Sequence, residues 1–208
     1  MRGKYITFEG CEGVGKSRQM RELAAYLTEK GADFIVTREP GGNVISEQIR
    51  EILLSDKNDA MCDECEALLY AASRAQYLKE IVLPALEAGK IVLSDRSVFS
   101  SFAYQGYARG LGFDYVEKIN RMAMTEAIPD CTLFLNLTSR QAFLRKGGAD
   151  AHDRLEQAGE AFHDRVYEGY RLLLDRFPDR FLPVDCTGTV RETAEKIVVM
   201  LKNRNLIP

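Results

Sequence analysis

The sequence lacks the features that are typical of membrane proteins and of nucleic-acid binders. No apolar run approaches the roughly 20 residues that a helix needs to span a bilayer. Basic residues are not in excess, since 28 Lys and Arg stand against 31 Asp and Glu, a formal net charge of −3. This charge balance argues against a general nucleic-acid-binding or membrane-surface-binding protein. Because the first strand signal begins at Tyr5, we also expect no signal peptide and a cytoplasmic protein.

Metal-binding residue types are sparse as well. The chain has two histidines, His152 and His163. Neither has an obvious catalytic partner, and we assign both to surface or loop positions. Cys62 and Cys65 form a C-x-x-C pair, but a zinc site needs two more ligands at matching spacing. We interpret the five cysteines as reduced thiols of a cytoplasmic protein.

What the sequence does contain is an alternation of strand and helix signals. Short runs rich in β-branched and apolar residues predict strands, and apolar residues at three- and four-residue spacing predict helices between them. The predicted strands lie at 5–8, 34–37, 91–95, 131–135 and 181–184. This order favours an α/β fold with a parallel sheet and helices on both faces. With 208 residues and no linker, the chain is expected to form one domain, residues 1–208.

Helix boundaries have their own signals. Pro84 is expected to kink or end a helix that begins near Asp63. Three capping signatures, in which Thr or Asp is followed three residues later by Glu or Gln, predict helix N-termini. They are Asp114-x-x-Glu117, Thr138-x-x-Gln141 and Thr189-x-x-Glu192.

The segment after the first strand fits the phosphate-binding pattern G-x-x-x-x-G-K-S/T. It lies between a strand and a helix, as this motif requires. Its glycines allow the backbone to approach phosphate oxygens, and its N–H groups and the next helix attract anions. Lys16 is expected to reach the outer phosphates and Ser17 to bind magnesium. The predicted ATP-binding residues are Gly10, Cys11, Glu12, Gly13, Val14, Gly15, Lys16, Ser17 and Arg18.

Two further segments suit phosphate chemistry. Asp95 and Arg96 follow a buried strand, at the sheet edge where α/β proteins bind ligands. The aspartate can hold magnesium through water, and the arginine can grip a phosphate with two hydrogen bonds. The loop at 37–42 follows the second strand with one arginine and two glycines, and it suits a second phosphate group.

Four short motifs, in their order along the chain, together resemble the thymidylate kinase family. They are Thr-Arg-Glu-Pro-Gly-Gly at 37–42, Asp-Arg at 95–96, Ala-Tyr-Gln-Gly at 103–106 and Asp-Arg-Leu-Glu at 153–156. The resemblance implies a P-loop kinase with a five-stranded parallel sheet and a short lid. It also implies transfer of the terminal phosphate of ATP to dTMP with Mg²⁺, giving dTDP and ADP, and a homodimer.

The resemblance also implies roles for single residues. Ser17 and Asp95 would hold the metal. Tyr70 would stack on thymine, and Arg74, one helical turn later, would bond a thymine carbonyl. Tyr104 would crowd the 2′ carbon of the sugar. The dTMP site so implied consists of Glu12, Arg38, Glu39, Tyr70, Arg74, Arg96, Ser101, Tyr104 and Gln105.

The implied lid covers approximately residues 145–154. The variable part of the P-loop has no basic residue, which resembles the bacterial-type arrangement in which the lid supplies the catalytic cation. Arg145 and Arg154 are the candidates, with Lys146 third. The implied catalytic residues are Lys16, Arg96, Glu12, Asp95, Arg145 and Arg154.

Two other functions are open to a P-loop protein. One is a small kinase for another nucleotide or a deoxynucleoside. The other is a GTP-binding switch, which usually reads guanine with an N-K-x-D element. Residues 56–59 only superficially resemble that element, and the D-x-x-G sequence at 185–188 comes after the last strand, too late for a switch.

Overall fold

A computed structural model describes residues 2–145, 154–155 and 158–208. These residues form one five-stranded sheet with strand order β2-β3-β1-β4-β5, in which every pairing is parallel. The strands are β1 (Tyr5–Glu9), β2 (Phe34–Arg38), β3 (Ile91–Asp95), β4 (Cys131–Asn136) and β5 (Phe181–Asp185). All five strands expected from the sequence are confirmed. The predicted lid positions 146–153, including Lys146 and His152, lie outside the described residues, as do residues 156–157.

Helices connect the strands. They are α1 (Lys16–Glu29), α2 (Val44–Leu54), α3 (Asp63–Tyr77), α4 (Leu83–Glu87), α5 (Val98–Ser101), α6 (Phe113–Ile119), α7 (Arg121–Glu126), α8 (Ser139–Arg145), α9 (Glu160–Arg176) and α10 (Val190–Asn203). Two π-helical segments, Leu78–Val82 and Phe102–Ala108, continue α3 and α5. The segment Leu78–Val82 runs directly into α4, which contains Pro84. The chain therefore stays helical from Asp63 to Glu87. The wider π turn accommodates the ring and the missing N–H of the proline.

Two of the three capping signatures form as predicted. Thr189 and Glu192 make the reciprocal pair of bonds at the start of α10. Thr138 and Gln141 do the same before α8, at 3.0 and 3.2 Å. The expectation for Asp114 is wrong, because α6 begins one residue earlier behind Gly112, whose φ of 86° is accessible to glycine.

The apolar core lies on both faces of the sheet, because alternate strand residues point to opposite sides. Ile6 and Phe8 of β1 pack with α1 and α10, while Tyr5 packs with the aromatic residues of the other face. The carboxylate of Glu9 therefore extends to the same side as Tyr5. Among the residues that the structure describes, no helix is long and apolar enough to cross a membrane.

Candidate active site

The carboxyl ends of β1 and β3 lie side by side, with Phe8 paired to Asp95. A cavity of about 460 Å³ opens at this edge, where parallel sheets place their ligands. It is lined by most of the residues that the sequence predicted, namely Glu12, Gly13, Gly15, Lys16, Ser17, Arg18, Arg38, Glu39, Tyr70, Arg74, Asp95, Arg96, Ser101, Tyr104 and Gln105. The sequence motifs, although far apart along the chain, thus meet in one place.

The P-loop forms one part of the cavity wall. Gly15 precedes α1 in the left-handed region with φ of 97°, which glycine adopts without strain. Lys16 is only 7% exposed, and its Nζ donates to the carbonyls of Gly10 and Cys11 at 3.2 and 3.1 Å. Burial lowers the pKa of this ammonium, and the nearby Arg96 guanidinium lowers it further. The chain therefore holds a partly desolvated cation at the mouth of an anion-binding loop.

Not every P-loop side chain reaches the cavity. Cys11 and Val14 are buried in the core cluster beside α1. Burial raises the pKa of the Cys11 thiol to about 11, so it stays protonated at neutral pH. These residues shape the loop, and only their backbone groups are available to a phosphate.

The side-chain oxygens of Ser17 and Asp95 lie next to each other. The Ser17 hydroxyl donates to Asp95 Oδ2 at 3.2 Å. The other carboxylate oxygen, Oδ1, is buried and has no hydrogen-bond partner within the described parts of the chain. A buried carboxylate oxygen without a partner is costly, and a cation bound beside it would remove that cost.

Arg96 is held by contacts from several elements. It has a φ of 73°, unusual for a residue other than glycine. Its Nη2 donates to Glu12 at 2.8 Å, and Nη1 lies 3.3 Å from Ser100 Oγ and 3.4 Å from Tyr170 Oη. The guanidinium also lies 5.1 Å from the centre of the Tyr104 ring, a cation–π distance. Its orientation is therefore fixed before any ligand binds.

Behind Arg96 lies a buried carboxylate, that of Glu9. It accepts hydrogen bonds from Ser97, Ser100 and Tyr170 at 2.8, 2.6 and 2.7 Å. Since two of these donors also contact Arg96, Glu9 stabilises the surroundings of the arginine without touching it. Glu9, Ser100 and Tyr170 were not among the site residues predicted from the sequence.

A second buried ion pair lies beside the loop at 37–42. Arg74 Nε donates to Glu39 Oε2 at 2.5 Å, and Nη1 donates to Asn120 at 2.6 Å. Arg74 and Glu39 are 3% and 5% exposed. Burial raises the pKa of Glu39, and the neighbouring Arg74 opposes that shift. The pair fixes Arg74, which together with Tyr70 lines the cavity from α3.

Two further arginines lie in or beside this loop, Arg38 at its start and Arg50 on α2. Arg38 donates to both carboxylate oxygens of Glu47 at 2.8 Å in an exposed ion pair. Arg50, which sequence reasoning missed, lines the cavity and donates to the carbonyl of Pro40 at 3.1 Å. Exposed pairs of this kind are weak, so an incoming anion can compete for Arg38.

Three residues of the segment 101–105 complete the wall. Ser101 is 2% exposed, and its Oγ has no hydrogen-bond partner among the described residues. Gln105 Nε2 donates to Glu66 at 2.8 Å. Burial raises the pKa of Tyr104, so its hydroxyl stays neutral. The pocket thus offers neutral polar groups next to a half-buried aromatic ring, that of Tyr70.

Comparison with known proteins agrees with this geometry. A family model described as Thymidylate kinase matches residues 8–197. The chain belongs to the thymidylate kinase family. The thymidylate kinase of Thermoanaerobacter sp. (strain X514) is 45% identical over 202 residues, which cover 97% of this chain and 98% of the relative. Those of Lactobacillus helveticus (strain DPC 4571) and Bacillus velezensis are 44% and 46% identical, with 98% and 90% of this chain covered and 98% and 89% of the relatives.

Within this thymidylate kinase fold, the two described lid candidates lie away from the cavity wall. Arg145 donates to the carbonyls of Cys186 and Gly188. Arg154 donates to Leu53 O and to Glu66. Neither lines the cavity. A catalytic role for either arginine stays a prediction, and it would require the side chain to exchange these contacts for a phosphate.

The thymidylate kinase structure also gives the positions of His163 and of the C-x-x-C pair. His163 was expected in a surface or loop position, but it lies on α9 and lines the cavity. Cys62 and Cys65 are exposed thiols at the start of α3. Across the described ranges, no group of three or more His, Cys, Asp or Glu side chains could hold a metal ion.

Proposed function

We propose that this chain transfers the γ-phosphoryl group of ATP to dTMP, giving dTDP and ADP. The observation that carries the proposal is that one cavity is lined both by the P-loop and by a second set of residues, Tyr70, Arg74 and Gln105. A P-loop binds one nucleotide, and the second set of residues suits another. The family membership of the whole chain supports the same reaction.

The proposed mechanism relies on positioning and charge. The P-loop backbone and Lys16 hold the phosphates of ATP, while Arg38 and Arg96 hold the phosphate of dTMP. Phosphoryl transfer needs little covalent chemistry from the protein, and catalysis comes from alignment and electrostatic stabilisation. Arg96, held by Ser100, Tyr170 and Tyr104, would neutralise charge between donor and acceptor. We propose no covalent enzyme intermediate and no strong general base.

The residues present fit a magnesium ion. Mg²⁺ prefers oxygen ligands and is commonly held by one or two protein groups together with substrate phosphates. Ser17 Oγ and the unpartnered Asp95 Oδ1 are such groups. When bound, the ion supplies positive charge at the β- and γ-phosphates. Asp95→Asn should raise the Mg²⁺ concentration needed for half-maximal activity.

The acceptor pocket favours a deoxypyrimidine. A ring stacked on Tyr70 would contribute about 1–3 kcal/mol. The thymine methyl group would add only about 1–3 kcal/mol of discrimination against uracil. Tyr104, buried beside Arg96, would crowd the 2′ position, where a ribose hydroxyl would find no partner. We therefore expect a preference for thymine and a sharper exclusion of ribose.

The test is an acceptor panel. The purified chain is given ATP and Mg²⁺ with dTMP, dUMP, dCMP, dGMP or thymidine, and release of ADP is measured. We expect the highest kcat/KM with dTMP. A clear preference for any other acceptor would overturn the assignment and favour a different small P-loop kinase. The structure gives the switch alternative no support, since residues 185–188 begin at the last residue of β5 and do not line the cavity.

We further propose that residues 1–208 form a single domain that acts as a homodimer in the cytoplasm, where ATP and dTMP are supplied. Support for the dimer comes from four exposed apolar residues on α2 and α3, which are Val44, Ile45, Ile52 and Leu68. Light scattering measures the oligomeric state directly. A monomeric wild-type protein at micromolar concentration would refute the dimer without affecting the proposed reaction.

A further inference from the structure

Glu66 is a buried carboxylate that the phosphate chemistry does not use. It lies on α3 four residues before Tyr70 and eight before Arg74, so the three side chains share one helix face. Its side chain is fully buried, and it does not line the cavity. An isolated carboxylate in such a position would be strongly unfavourable. The hydrogen-bond partners of Glu66 must therefore offset the cost of burying its charge.

Within the described parts of the chain, three side chains donate hydrogen bonds to Glu66. Gln105 Nε2 donates to Oε1 at 2.8 Å. Arg109 contacts both oxygens, at 3.3 and 3.0 Å, and Arg154 donates to Oε2. Burial pushes the pKa of Glu66 up, but these hydrogen bonds outweigh it and hold the pKa below its ordinary value. The carboxylate is therefore ionised at neutral pH and accepts hydrogen bonds only.

This fixes which way the Gln105 carboxamide is turned. An amide has a donor end and an acceptor end, and only the NH₂ end can face an ionised carboxylate. The acceptor, Oε1, is left on the other side. Gln105 is one of the residues that line the cavity, and no described residue donates a hydrogen bond to its Oε1. The carbonyl oxygen is thus available to a ligand.

We propose that Glu66 is a positioning residue that holds the Gln105 carbonyl oxygen toward the acceptor base, so that the pocket selects pyrimidines with an N3–H donor. Thymine and uracil carry that donor. Cytosine has an unprotonated N3 and would place two acceptors against each other. This inference rests on the proposed function, and it concerns selection of the base rather than phosphoryl transfer.

The test uses Glu66→Gln, which keeps the size of the side chain but can donate as well as accept. The Gln105 amide can then turn over and present its NH₂ group to cytosine. We expect the ratio of kcat/KM for dTMP to that for dCMP to fall at least about tenfold, the value of one hydrogen bond. The loss should appear mainly in the KM for dTMP, and the KM for ATP should not change.

The matched control is Arg109→Met. It removes another partner of the same carboxylate but leaves the contact between Glu66 and Gln105 intact. We expect it to lower stability while the dTMP/dCMP ratio stays at the wild-type value. An unchanged ratio in Glu66→Gln, or an equal fall in both variants, would overturn the proposal. Failure of the proposed function would be seen separately, as a wild-type enzyme that does not prefer dTMP.

A double-mutant cycle distinguishes positioning from a general effect on the fold. In Gln105→Met there is no amide to orient. If Glu66 acts through Gln105, adding Glu66→Gln to this variant should not lower the ratio further. Additive losses would contradict the proposal. Should Glu66→Gln not fold, Glu66→Asp keeps the charge but shortens the reach to Gln105, and a wild-type ratio in that variant would also overturn it.

Discussion

Arg96 and Glu12 form an ion pair across the cavity mouth, with 2.8 Å between Nη2 and Oε2. The guanidinium is 17% exposed and the carboxylate 44%, so the arginine is the fixed partner and the glutamate the movable one. An arriving phosphate can displace the carboxylate, while Ser100, Tyr170 and Tyr104 keep the guanidinium in place. The cation proposed to bind phosphate is thus already oriented, which would lower the cost of aligning the substrates.

Replacing Arg96 should therefore affect turnover more than folding. In Arg96→Ala we expect kcat to fall by about 10²–10³, as for loss of one transition-state donor. Kinetic assays and denaturant unfolding would be run together. Arg191→Ala is the matched control, because Arg191 is 90% exposed and pairs with Glu195 along α10. A wild-type kcat in Arg96→Ala would remove this residue from the mechanism.

Lys16→Met tests the buried ammonium. Turnover should fall at least about 100-fold, because the phosphates of ATP lose their cation. Stability should be equal or higher at pH 7, since the lowered pKa of Lys16 means that the charged form is disfavoured in the folded state. Between the folded-state pKa of Lys16 and 10.5, the unfolded chain binds more protons than the folded protein. The free energy of unfolding of the wild type should therefore rise with pH over that range and approach that of Lys16→Met. Lys118→Met, at an exposed site, should change neither quantity. A less stable Lys16→Met protein at pH 7 would contradict the argument.

Comparing Ser101→Ala with Ser73→Ala shows whether the Ser101 hydroxyl contacts the acceptor or is only a buried polar group. Both hydroxyls are buried without a partner among the described residues, so either change should stabilise the protein by about 1 kcal/mol. Only Ser101 lines the cavity. We expect Ser101→Ala alone to raise the KM for dTMP about 3- to 10-fold, the value of one hydrogen bond. Equal KM values in the two variants would show that Ser101 does not contact the acceptor.

Much of this site could be predicted because its residues follow strands. Asp95 and Arg96 end an apolar run, and parallel strands bring their carboxyl ends to one edge. Glu9 also ends a strand, and a charged residue closing an apolar run was an available signal. Its partner Tyr170 is 161 residues further along the chain. That contact depends on how α9 packs against the sheet, which helical spacing alone does not determine.

Glu66 shows a second limit of the sequence. A carboxylate in the first turn of a helix is favourable in itself, because it opposes the helix dipole. The sequence therefore gives no reason to expect Glu66 to be buried. Its three donors come from segments that are 39 to 88 residues away. Only the tertiary structure distinguishes it from its exposed neighbour Glu64.

The lowered pKa of Glu66 predicts a particular loss of stability in acid. The folded-state pKa lies below the ordinary value of 4.5, so the contribution of Glu66 is complete above about pH 4.5 and is lost as pH falls through the folded-state pKa. At pH 7, Glu66→Gln should cost about 3 kcal/mol, as for one partner of a buried ion pair. The difference from wild type should shrink in urea unfolding below pH 4.5. Glu117, which pairs with Arg176 and has 47% of its side chain exposed, provides the control, and Glu117→Gln should cost less than about 1 kcal/mol. A difference that grew in acid would refute the assignment.

Gly169 tests the packing that holds Tyr170 in place. It lies on α9 where that helix crosses the π-helical segment Phe102–Ala108. A Cβ built there would be 3.0 Å from both Cα and O of Ala103 and 3.1 Å from Tyr107 Cβ. Alanine normally stabilises a helix interior relative to glycine by about 1 kcal/mol, but backbone atoms on the facing segment cannot move away cheaply. We therefore expect Gly169→Ala to destabilise the protein by about 1–3 kcal/mol and to lower kcat, because Tyr170 and the hydrogen bonds around Arg96 would shift.

The control is Glu168→Ala, at an exposed position on the same helical turn. Its free energy of unfolding should stay within about 0.5 kcal/mol of wild type. A Gly169→Ala protein more stable than wild type would show that the two helical segments can separate without cost.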